Sequence, residues 1–166
     1  SMPVKSLEAD SGLYQLIISL PKQTGLSPGK LGKFQLSPGL YIYTGSARRN
    51  LQARLARHAR EEKRLRWHVD YLLQYGIIKK VLIYPVDVLT ECHLNILTLE
   101  ALKGEVPISG FGASDCRCGG HLIKCPAGWK LNGIIEAVYG EKSHFGKIRL
   151  AVAGFGRGER PQPRTV

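Results

Sequence analysis

The spacing of the apolar runs constrains this chain more than anything else. A strand-length apolar run at residues 13–20 ends at Pro21, and the next strand reads over 40–43. The stretch between them, 21–38, is rich in Gly, Pro, Ser and Lys and predicts a loop around a short amphipathic piece at 31–36. Parallel neighbours need a long crossover, usually a helix, so the first two strands are expected to pair directly. Gly45-Ser46 is expected to open a helix, with Ser46 as N-cap, running to about Arg60. A second helix is expected over 66–75, a third strand over Ile77–Tyr84, and a helix capped by Asp87 or Thr90 that ends at Lys103 before Gly104. Farther on, short strands are expected at 122–124, 133–139 and 147–153. This order predicts an α/β (α+β) fold: a small mixed or antiparallel three-stranded sheet flanked by helices, with a Gly/Cys-rich C-terminal extension. A chain of 166 residues suits one domain, expected over 10–153 with its core at about 10–125, followed by a flexible basic tail at 154–166.

Charge narrows the partners. The formal net charge is +11, and residues 48–66 hold Arg48, Arg49, Arg54, Arg57, Arg60, Lys63, Arg64 and Arg66 against Glu61 and Glu62. Positive charge concentrated in this way attracts polyanions, so nucleic acid is the first partner to consider, with a well-solvated helix face as the alternative. No apolar run approaches the roughly 18 residues of a membrane span, so no membrane partner is expected. Lys5, Glu8 and Asp10 interrupt any signal-like segment, and four cysteines are too few for a secreted disulfide scaffold of this size. A reducing cytoplasm is the expected compartment.

Within the helix after the second strand, Ala47, Leu51 and Leu55 form an apolar stripe. Arg54 and His58 lie about 60° and 20° to one side of Leu51, aimed toward the sheet. An inward guanidinium and imidazole need partners: either structural ones, or each other's chemistry. On the later helix, Glu91 lies nearly opposite His93 and Glu100 and therefore faces inward. It either complements the helix dipole or holds a hard cation such as Mg²⁺ or Mn²⁺. Cys116, Cys118, His121 and Cys125 crowd together, but C-x-C is not the favoured zinc spacing, so packed thiols in a Gly-rich turn are expected ahead of a zinc site.

Taken in order, these residues resemble a known family. Gly12-Leu13-Tyr14, Tyr43-Thr44-Gly45, Leu51-x-x-Arg54-x-x-x-His58 and Glu91 look like the GIY-YIG nuclease superfamily. Gly39-Leu40-Tyr41-Ile42-Tyr43-Thr44-Gly45-Ser46-Ala47, Trp67-His68-Val69-Asp70-Tyr71-Leu72 and Ser114-Asp115-Cys116-Arg117-Cys118 are similar to a largely archaeal branch, sometimes fused to endonuclease III-like base-excision repair enzymes. The likeness covers roughly residues 10–125 and makes 21–38 an insertion. It implies a metal-dependent endonuclease that hydrolyses DNA phosphodiester bonds in repair or processing, RNA sharing the same phosphate chemistry. It also implies roles: Tyr14 as general base, His58 behind it, Tyr43 in support, Arg54 on the phosphate, and Glu91 on Mg²⁺ or Mn²⁺. The basic residues from Arg48 to Arg66 would contact the nucleic acid, and a site-shaping role falls to Asp115 and Cys116. Two other functions compete: a non-catalytic nucleic-acid-binding protein on the same fold, which would need no metal, and a small zinc-ordered interaction module centred on the cysteines.

Overall fold

A computed structural model describes residues 10–84, 90–113, 116, 118–139 and, for the backbone alone, 151–153. The expected tail at 154–166 and the residues Ser114, Asp115 and Arg117 lie outside the described residues. The apolar run after Gly12 forms the central strand, β1 (Gly12–Leu20), buried on both faces as its near-continuous hydrophobicity requires. It pairs antiparallel with β4 (Gly39–Ala47), from Gly12↔Ala47 to Leu20↔Gly39, and on its other edge with β5 (Ile77–Tyr84). Between β1 and β4, β2 (Thr24–Leu26) and β3 (Phe34–Leu36) form a separate hairpin, where a loop was expected. Leu26 and Leu36 anchor that hairpin in the core, which is why the segment is ordered. β6 (Leu122–Lys124) and β7 (Ala151–Ala153) complete a sheet of order β6-β4-β1-β5-β7. The three central strands are those expected; the sheet has five, and every ladder is antiparallel.

Helices cover both faces. On one lie α1 (Leu51–Ala59) and α2 (His68–Leu73), with Leu51, Leu55, Val69 and Leu72 packed on Tyr14, Leu16, Ile18 and Tyr43. Each such buried aliphatic stabilises the packing by roughly 1.5–3 kcal/mol. On the other face lie α3 (Glu91–Leu102) and α4 (Leu131–Tyr139), with Leu94, Leu102, Ile134 and Val138 over Leu13, Ile17, Leu82 and Tyr84. A buried polar ladder stitches this second face: Gln15 Nε2 donates to Thr44 and Thr98, and Tyr84 donates to Gln15 Oε1.

Two expectations are corrected. Residues 133–139 are helical, because Leu131, Ile134, Ile135 and Val138 recur at helical spacing and bury one face, which outweighs their β-branched character. Ser46 is not an N-cap. It pairs with Leu13 in the sheet, which carries β4 on to Ala47, and α1 begins only at Leu51 after Asn50 turns through a left-handed φ of 57°. The cap comes from elsewhere in the chain: Asp10 accepts Leu51 N–H through its carbonyl and Gln52 N–H through Oδ1. No helix among the described residues is long and apolar enough to cross a membrane.

Candidate active site

The sheet and α1 bring two of the sequence-selected residues into contact. Alternation along β1 points Tyr14 toward α1, and the i, i+7 relation to Leu51 points His58 back at it. Tyr14 Oη and His58 Nε2 lie 2.7 Å apart, with both residues almost fully buried. The cross-strand partner of Tyr14 is Gly45, and a Cβ there would stand 2.6 Å from the phenolic oxygen. Only glycine lets the phenol lie across β4.

Against Tyr14, with His58 behind it, lies a cavity of about 290 Å³ lined by Tyr14, Tyr43, Arg54 and Glu91, together with Ser46, Arg66, Trp67, His68 and Gly112. Tyr43 comes from β4 and stands edge-on to His58, at 6.3 Å between ring centres. Arg54 donates through Nη1 to the Ser46 carbonyl and lies 4.8 Å over the Trp67 ring. Glu91 opens α3, whose N-cap is Thr90, and turns back toward the pocket: Ser46 Oγ donates to Oε2 at 2.6 Å, and His121 Nδ1 lies 2.7 Å from Oε1. Glu100 is exposed and does not line this cavity.

Protonation follows from burial. Burial pushes His58 down to about 3, assisted by Lys63, Arg57 and Arg54 and opposed by Asp70, so the imidazole is neutral at physiological pH. Burial raises Tyr14 well above the usual phenol value, and Tyr43 adds to the rise while Arg54 opposes it. Tyr43 is raised by burial and by Glu91, again against Arg54. His58 Nδ1 has no partner among the described residues. A bare lone pair there costs less than an orphaned N–H, which favours the tautomer in which Nε2–H donates to Tyr14 Oη.

The basic segment divides into two groups. Arg57 forms a bidentate pair with Asp70, at 2.9 Å for each bond, and also donates to the Arg64 carbonyl. Lys63 donates to the carbonyls of Arg57, His58 and Arg60 and closes the end of α1. Both cations are therefore engaged within the fold. Burial would raise Asp70, but Arg57 and the amides of Trp67 and Arg66 outweigh it and hold the carboxyl below its usual value. Arg48, Arg49, Arg60, Arg64 and Arg66 are exposed around α1.

The cysteine expectation needs correcting in one member. Cys92, Cys116, Cys118 and His121 bring their ligand atoms within 4.8 Å of one another, a group able to hold a metal ion. Cys125 is not among them. Alternation along β6 sends Ile123 and Cys125 together into the core under α3 and α4, where burial pushes the Cys125 thiol up to about 11. Sequence reasoning missed Cys92, Ser46 and Trp67. Only Trp67 carried a local signal, an aromatic set among arginines, and its ring lies 4.8, 4.3 and 5.3 Å from the guanidinium carbons of Arg54, Arg57 and Arg66.

Residues 13–144 match a family model described as a domain of unknown function, DUF123. No curated protein and no solved structure matches the chain.

Proposed function

We propose that this chain, which belongs to the DUF123 family, is a metal-dependent endonuclease that hydrolyses phosphodiester bonds of DNA, in keeping with the resemblance of its sequence motifs to those of GIY-YIG nucleases. The observation that carries this reading is the Tyr14–His58 bond, which backs a pocket that Tyr14 lines together with Tyr43, Arg54 and Glu91. Residues singled out in the sequence for one chemistry thus converge on a space large enough for a phosphate and a water.

The chemistry follows from the contacts. Hydrolysis needs a base for the attacking water and positive charge on the phosphoryl oxygens. Tyr14 Oη takes the water's proton as phenolate. That form is helped by an N–H from His58 and by the field of Arg54. Because burial disfavours a second proton on His58, its part is to donate a hydrogen bond rather than to relay a proton. Arg54, already turned toward the pocket by the Ser46 carbonyl, presents its remaining donors to a phosphate oxygen. Tyr43 orients water or phosphate. A new bond forms between the water oxygen and phosphorus, and the bond from phosphorus to the 3′ oxygen breaks.

Glu91 is the one carboxylate lining this pocket among the described residues, and its side chain is 26% exposed. Each oxygen makes one hydrogen bond and keeps a lone pair, which fits a hard cation that takes one or two carboxylates and retains its waters. Mg²⁺ or Mn²⁺ held there would stabilise charge on the leaving oxygen. Exposed Arg48, Arg49, Arg60 and Arg64 supply phosphate contacts outside the pocket, and Arg66 does so at its edge.

The test is nicking of supercoiled plasmid, and cleavage of duplex, flap, fork and single-stranded DNA and RNA, with Mg²⁺ or Mn²⁺. Cleavage that EDTA abolishes and Glu91→Ala removes is expected. Salt-sensitive DNA binding with no cleavage of any substrate would leave a binding protein.

A further inference from the structure

Beside the pocket, on the far side of Glu91, lies a group the cleavage chemistry does not use. His121 Nε2 stands 2.8 Å from Cys118 Sγ, 3.4 Å from Cys116 Sγ and 3.5 Å from Cys92 Sγ, while Cys116 and Cys118 Sγ are 3.1 Å apart. Zinc bonds of about 2.3 Å to sulfur and 2.0–2.1 Å to nitrogen give tetrahedral edges of roughly 3.5–3.8 Å. The distances from Nε2 to Cys116 and Cys92 already match, and the two shorter edges need about 0.7 Å of expansion to meet them. We propose that Cys92, Cys116, Cys118 and His121 form a tetrahedral zinc site, and that its histidine ligand holds Glu91 in position at the pocket.

Three features make the site specific. The first is its backbone. His121 N–H donates to the Phe111 carbonyl, Thr44 N–H donates to the His121 carbonyl, and Asn95 of α3 donates to the Gly120 carbonyl. These bonds tie the turn to both β4 and α3. The turn is possible because Gly119 and Gly120 take φ values of +90° and +145°.

The second feature is the histidine tautomer. Three sulfurs surround Nε2, so Nε2 is the ligand atom and the proton sits on Nδ1, 2.7 Å from Glu91 Oε1. A ligand histidine whose other nitrogen donates to a carboxylate is the usual outer arrangement of a zinc site, and it sets the orientation of both partners. The third feature is adjacency: Glu91 and Cys92 are neighbours in the first turn of α3, so one turn supplies a thiolate to the zinc and a carboxylate to the pocket. On binding, the cysteine thiols release their protons to solvent and no electron is exchanged. Three thiolates and one imidazole suit Zn²⁺ over harder cations.

The zinc site stands by itself; only its consequence for cleavage rests on the nuclease reading. The test uses the full chain purified under reducing conditions without chelator. Metal analysis should find one zinc per chain. Cobalt exchanged into the site should give thiolate-to-cobalt charge transfer of three-thiolate strength. Cys125→Ser should keep the full stoichiometry and cobalt spectrum, whereas Cys92→Ser should lose a thiolate from the spectrum. Glu91→Ala should still bind one zinc, about 10- to 100-fold more weakly in competition with a chromophoric chelator. Should Cys92→Ser fail to fold, the wild-type thiolate count and the Cys125→Ser result decide alone. Absence of zinc, a Cys116–Cys118 disulfide in its place, or a site dependent on Cys125 would overturn the proposal. None of these readouts uses DNA, so a zinc-loaded but inactive protein would refute the nuclease reading alone, and an active zinc-free one the zinc site alone.

Discussion

Replacing Tyr14 by Phe removes one oxygen from the wall of the pocket and leaves the ring in place. The ring keeps its neighbours, Tyr43 at 6.4 Å and His58 at 5.5 Å between centres. What is lost is the 2.7 Å bond, and with it the one partner of the His58 ring nitrogens, since Nδ1 already has none among the described residues. Leaving a buried polar group unsatisfied costs about 1–3 kcal/mol. At about 2–4 °C per kcal/mol for a domain of this size, Tm should fall by about 2–12 °C. The reaction should suffer far more. Loss of a general base typically lowers the rate by about 10²–10⁴, or about 3–5 kcal/mol in the barrier. Tyr41→Phe is the matched control, because it removes a buried-face bond of 2.6 Å to the Ser37 carbonyl but lies outside the pocket. Single-turnover cleavage on saturating DNA, read at a temperature where both variants are folded, separates the two effects. The expected result is a loss of two to four orders of magnitude for Tyr14→Phe with Tyr41→Phe near wild type. Activity of Tyr14→Phe within about threefold of wild type, with chemistry rate-limiting, would refute the assignment.

The cleavage rate should rise about tenfold per pH unit from about pH 6 to 9, because a phenol raised above its usual value gains phenolate throughout that range. A plateau above neutrality would count against Tyr14. No break should appear near pH 6.5, since His58 is already neutral far below it; a break there would restore a proton-relay role. Correspondingly, His58→Gln, which keeps an N–H donor, should retain more activity than His58→Ala in single-turnover assays, and equal losses would argue for the relay. Arg57→Ala should lower stability by about 3–5 kcal/mol in denaturant titrations, because it strands the buried Asp70 carboxylate. A loss confined to DNA affinity would show that the pair is not structural. As Asp70 is held below its usual value, its stabilisation is present above the unfolded-state pKa and fades as pH falls through the folded one. Glu91→Ala should abolish metal-dependent cleavage while DNA binding survives, and Glu100→Ala should cleave normally; the reverse would move the site along α3.

The parts of the fold that sequence reading recovers are those with local causes. The three central strands follow from apolar runs bounded by Pro and Gly, and the inward aim of Arg54, His58 and Glu91 follows from counting 100° per residue. What it missed has distant causes. Asp10 caps α1 from outside the helix's own neighbourhood, so Ser46, the local candidate, was the wrong residue. Cys92 joins Cys116 and Cys118 only because Asn95 and the sheet bring α3 against the turn, whereas Cys125, nearer in sequence, is carried away by strand alternation. Spacing rules see neighbours along the chain, and these contacts are made across the sheet.

The stacking of arginines on Trp67 gives the protein an optical probe of its own. The chain has two tryptophans. Trp67 lines the pocket under Arg54 and Arg66, whereas Trp129 is pinned on the opposite face by its Nε1 bond to the Leu102 carbonyl. Emission from Trp67 depends on the guanidiniums over its ring, and any phosphate that draws Arg54 or Arg66 aside changes that environment. Trp129 reports only on the integrity of α3 and α4. A Trp129→Phe variant would leave a single emitter at the pocket, so that occupancy could be followed by intrinsic fluorescence without a label, apart from any cleavage step.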